Sequence, residues 1–293
     1  MNFAIGLPAY NEEKNIASII IKLKKITDTI IVCDDGSTDL TSKIASELGA
    51  ITIIHEKNIG YGAAIASLFS KAREIGVDTL VTFDADGQHR MEDIKTILEP
   101  INQDVADIVI GSRFMQEEDN VPKYRKIGIK AITEITNITT GSKITDSQSG
   151  FRAYSRKALD SITPSEQGMG VSTEILIKAA RNKFRITEVP ITILYEGDTS
   201  THNPISHGTS VVVSTIKYVA LERPLSFYGI PGIGFLGLGL FFIAWTLQLF
   251  TESGEIITNV SLIGIGCTII GVLLLMTASI LQSMTVIIRE QRR

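Results

Sequence analysis

The sequence predicts an α/β fold built on a mostly parallel central sheet and followed by a pair of transmembrane helices. Three observations carry this. Short apolar runs alternate with helix-length amphipathic segments through the first half. Polar clusters follow directly after three of those runs, and two long stretches near the C-terminal end contain no Lys, Arg, Asp or Glu.

The runs FAIGL, TIIVCDD, AITIIHE and TLVTFDAD are the first strand candidates. The segments from about Glu13 to Lys25, after Ser37, and from about Gly62 to Gly76 are the helices between them. Such alternation implies parallel strands joined by right-handed crossovers. Ser37 and Thr38 stand where they would cap the second helix. Ligands of such sheets bind beyond the carboxyl ends of the strands. PAYNE (Pro8 to Glu12), DDGSTD (Asp34 to Asp39) and DADGQH (Asp84 to His89) all fall there, so one polar edge is expected. From Asp104 the pattern continues with DIVIGSRF, a basic helix (Lys123 to Thr136), DSQSGFRAYSR, a Gly-rich loop before STEILIKAARN, and the strand candidate FRITEVPITILYE.

The two uncharged stretches, Tyr228 to Phe250 and Val260 to Ile288, each exceed the ~20 residues an α-helix needs to cross a bilayer. Lys217 and Arg223 precede the first, Arg289, Arg292 and Arg293 follow the second, and the connector holds Glu252 and Glu255 but no basic residue. Lys and Arg are retained on the cytoplasmic side, so both ends are expected in the cytoplasm. The N-terminus has no basic segment leading into a long apolar one, so no signal peptide is expected to export the preceding domain. The organisation predicted is an α/β domain over 1–205, an amphipathic interfacial helix and linker over 206–227, and a membrane anchor over 228–293 with spans at about 228–250 and 260–288. Glycines at 229, 232, 234, 237 and 239 permit close helix contact and self-association of the anchors.

The net charge of -4 lacks the basic field that nucleic-acid binding requires. Cys33 in a strand candidate and Cys267 in a membrane helix cannot meet, so both are expected to be reduced. His55, His89, His202 and His207 show no metal-ligand spacing.

DADGQH places the carboxylates of Asp84 and Asp86 and the amide oxygen of Gln88 in one tight turn. Hard oxygen ligands suit Mg²⁺ or Mn²⁺, which would bridge the protein to a diphosphate. Together with PAYNEE, DDGSTD, the stretch Asn58-Ile-Gly-Tyr-Gly-Ala, GSRF (Gly111 to Phe114) and DSQSGFR (Asp146 to Arg152), this motif resembles the glycosyltransferase family 2 enzymes of the nucleotide-diphosphosugar (GT-A) fold. Within that family the chain is similar to the dolichol-phosphate mannose or glucose synthases, over roughly Met1 to Tyr195.

The resemblance implies a nucleotide-diphosphate sugar as donor, a polyisoprenyl (dolichyl) phosphate in membrane lipid as acceptor, and a catalytic set of Asp84, Asp86 and Arg113. It implies that Pro8, Tyr10, Glu12, Asp35 and Asp84 serve the donor nucleotide, with Glu12 near the ribose. Gly60 and Gly62 would allow close backbone approach to the base. Asp86 and Gln88 would take the metal. Arg113 would face the acceptor phosphate with Arg125 as its partner, and Arg152 is a third cation in a motif position. Many mannose synthases carry a basic residue after the last strand's tyrosine and then Gly-x-Ser-Lys, whereas this chain has Tyr195-Glu-Gly-Asp-Thr-Ser-Thr-His. That departure points away from GDP-mannose and towards archaeal transferases that load UDP-linked glucose or N-acetylglucosamine onto dolichyl phosphate.

A hydroxyl acceptor needs a general base, whereas a phosphate monoester with second pKa near ~6 is largely ionised at pH 7. Cations then replace the base, and guanidinium forks suit phosphate. Glu174 stands where hydroxyl-acceptor relatives often carry that base; its other reading is an acid in a helix first turn, capped by Ser172. Two rival functions remain at this level: a transferase extending a glycan on a sugar hydroxyl, and a non-catalytic membrane scaffold. Processive synthases resemble one another in a Gln-x-x-Arg-Trp motif and more numerous spans, and that resemblance is lacking here, since the single tryptophan, Trp245, lies in a membrane helix.

Overall fold

The computed structural model describes residues 2–115, 123–193, 216, 220–221, 223–254 and 257–290. Most of the expected interfacial helix, His202, His207, Glu255, Arg292 and Arg293 lie outside the described residues, as does the side chain of Arg125. The chain divides into two compact units, Met1–Thr215 and Ile216–Arg293.

The first unit is a seven-stranded sheet of β1 (Phe3–Ala9), β2 (Ile30–Asp34), β3 (Ile51–Ile54), β4 (Thr79–Thr82), β5 (Ile108–Ser112), β6 (Arg152–Ser155) and β7 (Ile186–Pro190), in the order β3-β2-β1-β4-β6-β5-β7. All pairings are parallel except those of β6, which runs antiparallel to both β4 and β5. Because β6 runs backwards, its N-terminal loop reaches the edge where β4 and β5 end. DADGQH, GSRF and DSQSG therefore meet.

Alternation along the strands divides the core. Ile5, Val32, Val81 and Val109 point into a layer with α1 (Ile16–Leu23) and α4 (Asp93–Asn102), through Ile16, Ile20, Ile94 and Ile97. Their neighbours Ala4, Ile31, Leu80 and Ile108 face α3 (Tyr61–Glu74) and α7 (Val171–Arg181), through Leu68, Phe69, Val171 and Ile175. This period of two buries both faces, as a crossover sheet requires.

Two expected caps are corrected. The helix α2 (Thr41–Glu47) takes Leu40 as its N-cap, and Ser37 instead accepts from the Asn11 N–H and donates its own N–H to Asp34. Helix α7 begins at Val171 after Gly170, so Ser172 lies inside it. The basic helix α5 runs further than expected, Lys123–Thr140.

The second unit holds a π-helical turn, Leu225–Gly229, and two helices, Ile230–Ser253 and Thr258–Glu290. Both are long and apolar enough to cross a membrane, and only 11% of each apolar window is buried. A helix of a soluble core would be mostly buried. The helices pack through glycines: a β-carbon on Gly271 would lie 2.6 Å from the Leu236 nitrogen, and one on Gly239 would meet Thr268, whereas Gly234 and Gly237 face open space.

Candidate active site

The loops after β1 and β2 form one structure. Asn11, in a left-handed conformation (φ 55°), accepts the Thr38 N–H at 2.9 Å, and Thr41 Oγ1 accepts the Glu12 N–H at 2.8 Å. Pro8 lies within β1 opposite Cys33, and Tyr10 follows the strand directly. Glu12 accepts from the Asn15 amide at 2.8 Å. Burial raises its carboxyl above the ordinary value, Asn15 opposes that, and the charges of Asp86, Asp39 and Asp84 add to it.

Asp35 is buried and already engaged. Its Oδ1 accepts from Ile59 N–H (3.0 Å) and contacts His55 Nδ1 (2.6 Å), and its Oδ2 accepts from Gly60 N–H (2.7 Å). The same imidazole reaches Ser67 Oγ at 2.9 Å. Asp35 thus fastens the 55–60 loop.

Gly60 and Gly62 stand against another part of the chain. Gly60 has φ 120°, and its β-carbon would lie 2.5 Å from the Gln167 carbonyl; one on Gly62 would lie 2.7 Å from the Gly168 carbonyl. What approaches closely is the backbone of 166–168, which also accepts the Gly62 N–H at 2.7 Å.

After β4, Asp84 Oδ2 lies 3.1 Å from His89 Nε2, and Asp86 Oδ1 accepts the Gln88 N–H at 3.0 Å. Burial disfavours the Asp84 charge, but the hydrogen bond from His89 and the charges of His89 and Arg113 outweigh it and hold this carboxyl below the usual range. Asp86 moves the other way, raised by burial and then by the charge of Asp84. His89 packs between Phe83 and Phe151 with ring centroids 5.3 and 5.0 Å away, and its Nδ1 has no hydrogen-bond partner among the described residues.

Among the described residues no group of three His, Cys, Asp or Glu encloses a cation unaided. The turn nevertheless fits one. It offers two carboxylates and an amide, and the ionised form of Asp86 is disfavoured beside Asp84, a repulsion that a cation relieves. Mg²⁺ and similar ions commonly take one or two carboxylates and complete their shell with substrate phosphate.

Arg113, just beyond β5, donates through Nε to Asp146 Oδ2 (2.6 Å) and through Nη2 to Asp146 Oδ1 (2.8 Å). The Phe114 ring lies 5.9 Å from both the Arg113 guanidinium and Lys126 Nζ, which sets the start of α5 beside the site. Arg152, only 1% exposed, donates to the carbonyls of Ser147, Ser149 and Ser172 and so shapes the DSQSG loop.

Glu174 is fully buried. Its oxygens accept from the Ser165 N–H (3.0 Å), the Glu166 N–H (2.8 Å), the Ser165 hydroxyl and Lys178 Nζ (2.5 Å). These bonds outweigh burial and hold its carboxyl below the ordinary value. Burial pushes the Cys33 thiol up to about 12, in keeping with a reduced, inert residue.

The edge thus gathers Glu12, Asp84, Asp86 and Arg113. Sequence reasoning singled out neither Asp146 and Gly150 of the quoted DSQSGFR motif, nor Tyr61 of the quoted Asn58-Ile-Gly-Tyr-Gly-Ala stretch, nor Glu188 of the strand candidate FRITEVPITILYE. An acid in the middle of β7 was the one signal for Glu188.

Residues 4–163 match the model of the family described as Glycosyl transferase family 2. The chain belongs to glycosyltransferase family 2. It is a glycosyltransferase. Among family 2 relatives, the UDP-N-acetylglucosamine–dolichyl-phosphate N-acetylglucosaminyltransferase of Methanococcus voltae is 38% identical over 229 residues, covering 71% of this chain and 89% of that protein. A dolichyl-phosphate hexose transferase of Haloferax volcanii is 32% identical over 225 residues, covering 76% and 96%. Glucosyl-3-phosphoglycerate synthase from Mycobacterium tuberculosis, in complex with Mn²⁺ and UDP-glucose, superposes with TM-score 0.59 at 20% identity, over 74% of this chain and 78% of that one. That likeness is one of fold, and it makes the family 2 unit here a GT-A domain.

Proposed function

We propose that this enzyme moves one hexose or N-acetylhexosamine, with inversion, from a nucleotide-diphosphate sugar to a polyisoprenyl (dolichyl) phosphate at the cytoplasmic membrane face. The observation that carries the acceptor is the sequestration of Glu174. The acid at the position where hydroxyl-acceptor relatives often carry a base is buried under four donors, while a guanidinium, Arg113, stands beside the donor turn. An acceptor phosphate brings its own ionised oxygen and needs no base.

In this reading Pro8, Tyr10 and Glu12 line the nucleoside side and Asp35 acts by holding the 55–60 loop. Asp84, Asp86 and Gln88 would hold Mg²⁺ or Mn²⁺, which supplies charge neutralisation for the departing diphosphate. Arg113, with Arg125 from α5, holds the acceptor phosphate in line. Its oxygen bonds to the anomeric carbon as the bond to the diphosphate breaks, and the electron pair leaves with the diphosphate. The names of the relatives support a UDP-linked sugar and dolichyl phosphate. The two apolar helices would anchor the catalytic unit, residues 1–205, with both termini in the cytoplasm.

The test is a panel of radiolabelled UDP- and GDP-sugars with dolichyl or undecaprenyl phosphate, using detergent-solubilised full-length protein and Mg²⁺ or Mn²⁺. A glycolipid that is acid-labile and phosphate-linked is expected. Transfer to sugar hydroxyls alone would overturn the acceptor. For topology, a cysteine at Glu255 should be labelled only from outside and one at Arg293 only from inside, in a background lacking Cys33 and Cys267.

A further inference from the structure

Arg113 does not hold its position by itself. Asp146 is fully buried, and its two oxygens grip the guanidinium bidentately at 2.6 and 2.8 Å, while Oδ2 also accepts the Arg113 N–H at 3.2 Å and Oδ1 the Gln148 N–H at 3.2 Å. The loop bearing Asp146 is held in turn from β7. Glu188 accepts the Asp146 N–H through Oε1 (2.9 Å) and the Thr145 N–H through Oε2 (2.7 Å). The Ser112 hydroxyl and Thr145 Oγ1, 2.6 Å apart, tie the same loop to β5.

An arginine side chain is long and has many rotamers, and a planar bidentate partner fixes both its position and the orientation of its plane. A guanidinium already oriented loses less freedom when it binds a phosphate. We infer that Asp146 is a positioning residue that presets Arg113 for the acceptor phosphate, and that Glu188 keeps Asp146 in register from the neighbouring strand. The inference rests on the acceptor role of Arg113 proposed above. Asp146 touches no substrate in this scheme. The competing account is an ion pair that only fastens the 145–148 loop to β5.

The experiment measures steady-state constants of full-length Arg113→Ala, Asp146→Asn, Glu188→Gln and Arg113→Ala/Asp146→Asn, with dolichyl phosphate in detergent as acceptor. Arg113→Ala and Asp146→Asn should each raise the acceptor KM by roughly ten- to a hundredfold, as loss of one partner of a buried pair does. The donor KM should stay within about twofold. The double variant should be no worse than Arg113→Ala, because contacting residues are not additive. Glu188→Gln, which keeps both members of the pair, should raise the acceptor KM less and in the same sense, and it serves if Asp146→Asn does not fold. Millimolar guanidinium should restore part of the activity of Arg113→Ala but not of the double variant. If Arg113→Ala leaves the acceptor KM unchanged, the reading of Arg113 fails. If Arg113→Ala raises it while Asp146→Asn and Glu188→Gln lower only melting temperature or kcat, the positioning role alone is overturned.

Discussion

A β-carbon on Gly150 would lie 2.8 Å from Oδ1 of Asp84. The antiparallel entry into β6 thus leaves the space in which the donor-turn carboxylate stands. The same β-carbon would lie 2.6 Å from the Tyr61 hydroxyl, so one or both of these side chains would have to shift. Gly150→Ala should push Asp84 off its His89 contact and lower turnover by about ten- to a hundredfold, the cost of a misplaced reacting group. Overpacking should cost about 1–3 kcal/mol of stability. Turnover equal to wild type would show that Asp84 need not stand where it does.

Asp86 is a group whose charge the fold disfavours. Its carboxyl is raised above the unfolded value, so the ionised form weakens the folded state at neutral pH, and the penalty disappears as pH falls through the raised pKa. Asp86→Asn should therefore be inactive yet, without divalent metal, melt no lower than wild type at pH 7, with its relative advantage shrinking towards pH 4. Melting curves across that range check it, and a variant that is both inactive and much less stable would contradict it.

Glu174 has the opposite sign. Its carboxyl is depressed, so it contributes stability that is present above the ordinary value of 4.5 and is lost as pH falls through the folded-state pKa. Glu174→Gln should cost about 2–4 kcal/mol because Lys178 and the 165–166 backbone lose a charged acceptor. Turnover per folded molecule should change less than about threefold. A general base would give the reverse, a loss of about 10²–10⁴ in rate with unchanged melting.

Gly62→Ala tests what the glycines are for. The added carbon meets the carbonyls of Glu166 and Gly168, which are backbone and cannot rotate away. Stability should fall by about 1–3 kcal/mol in urea unfolding. A variant of normal stability that had lost only UDP binding would restore the role of approach to the base.

The strands and crossovers were legible because alternating apolar residues bury both faces of one sheet, and the polar edge was legible because each cluster follows its run directly. Relationships across long separations were not. Nothing local says that Asp35 answers to His55, or that Gly60 and Gly62 make room for residues 166–168. Arg152 looks like a site cation until the turn of the DSQSG loop brings three carbonyls around it. Helix starts shifted where side chains of one loop served the next, as Ser37 does for Asn11.

The insertion of β6 between β4 and β5 also bears on how the molecule is made. Among the described residues β5 pairs only with β6 and β7, and both leave the ribosome after it. The half-sheet β3-β2-β1-β4 can close during synthesis, with Asp84 already at its edge. The apolar strand Ile108–Ser112 must wait unpaired until Arg152–Ser155 emerges to bridge it to β4. A nascent chain arrested before that point would carry the donor loops but have no seat for Arg113. Such non-local pairing is slow to form and leaves an open strand edge to be shielded by chaperones.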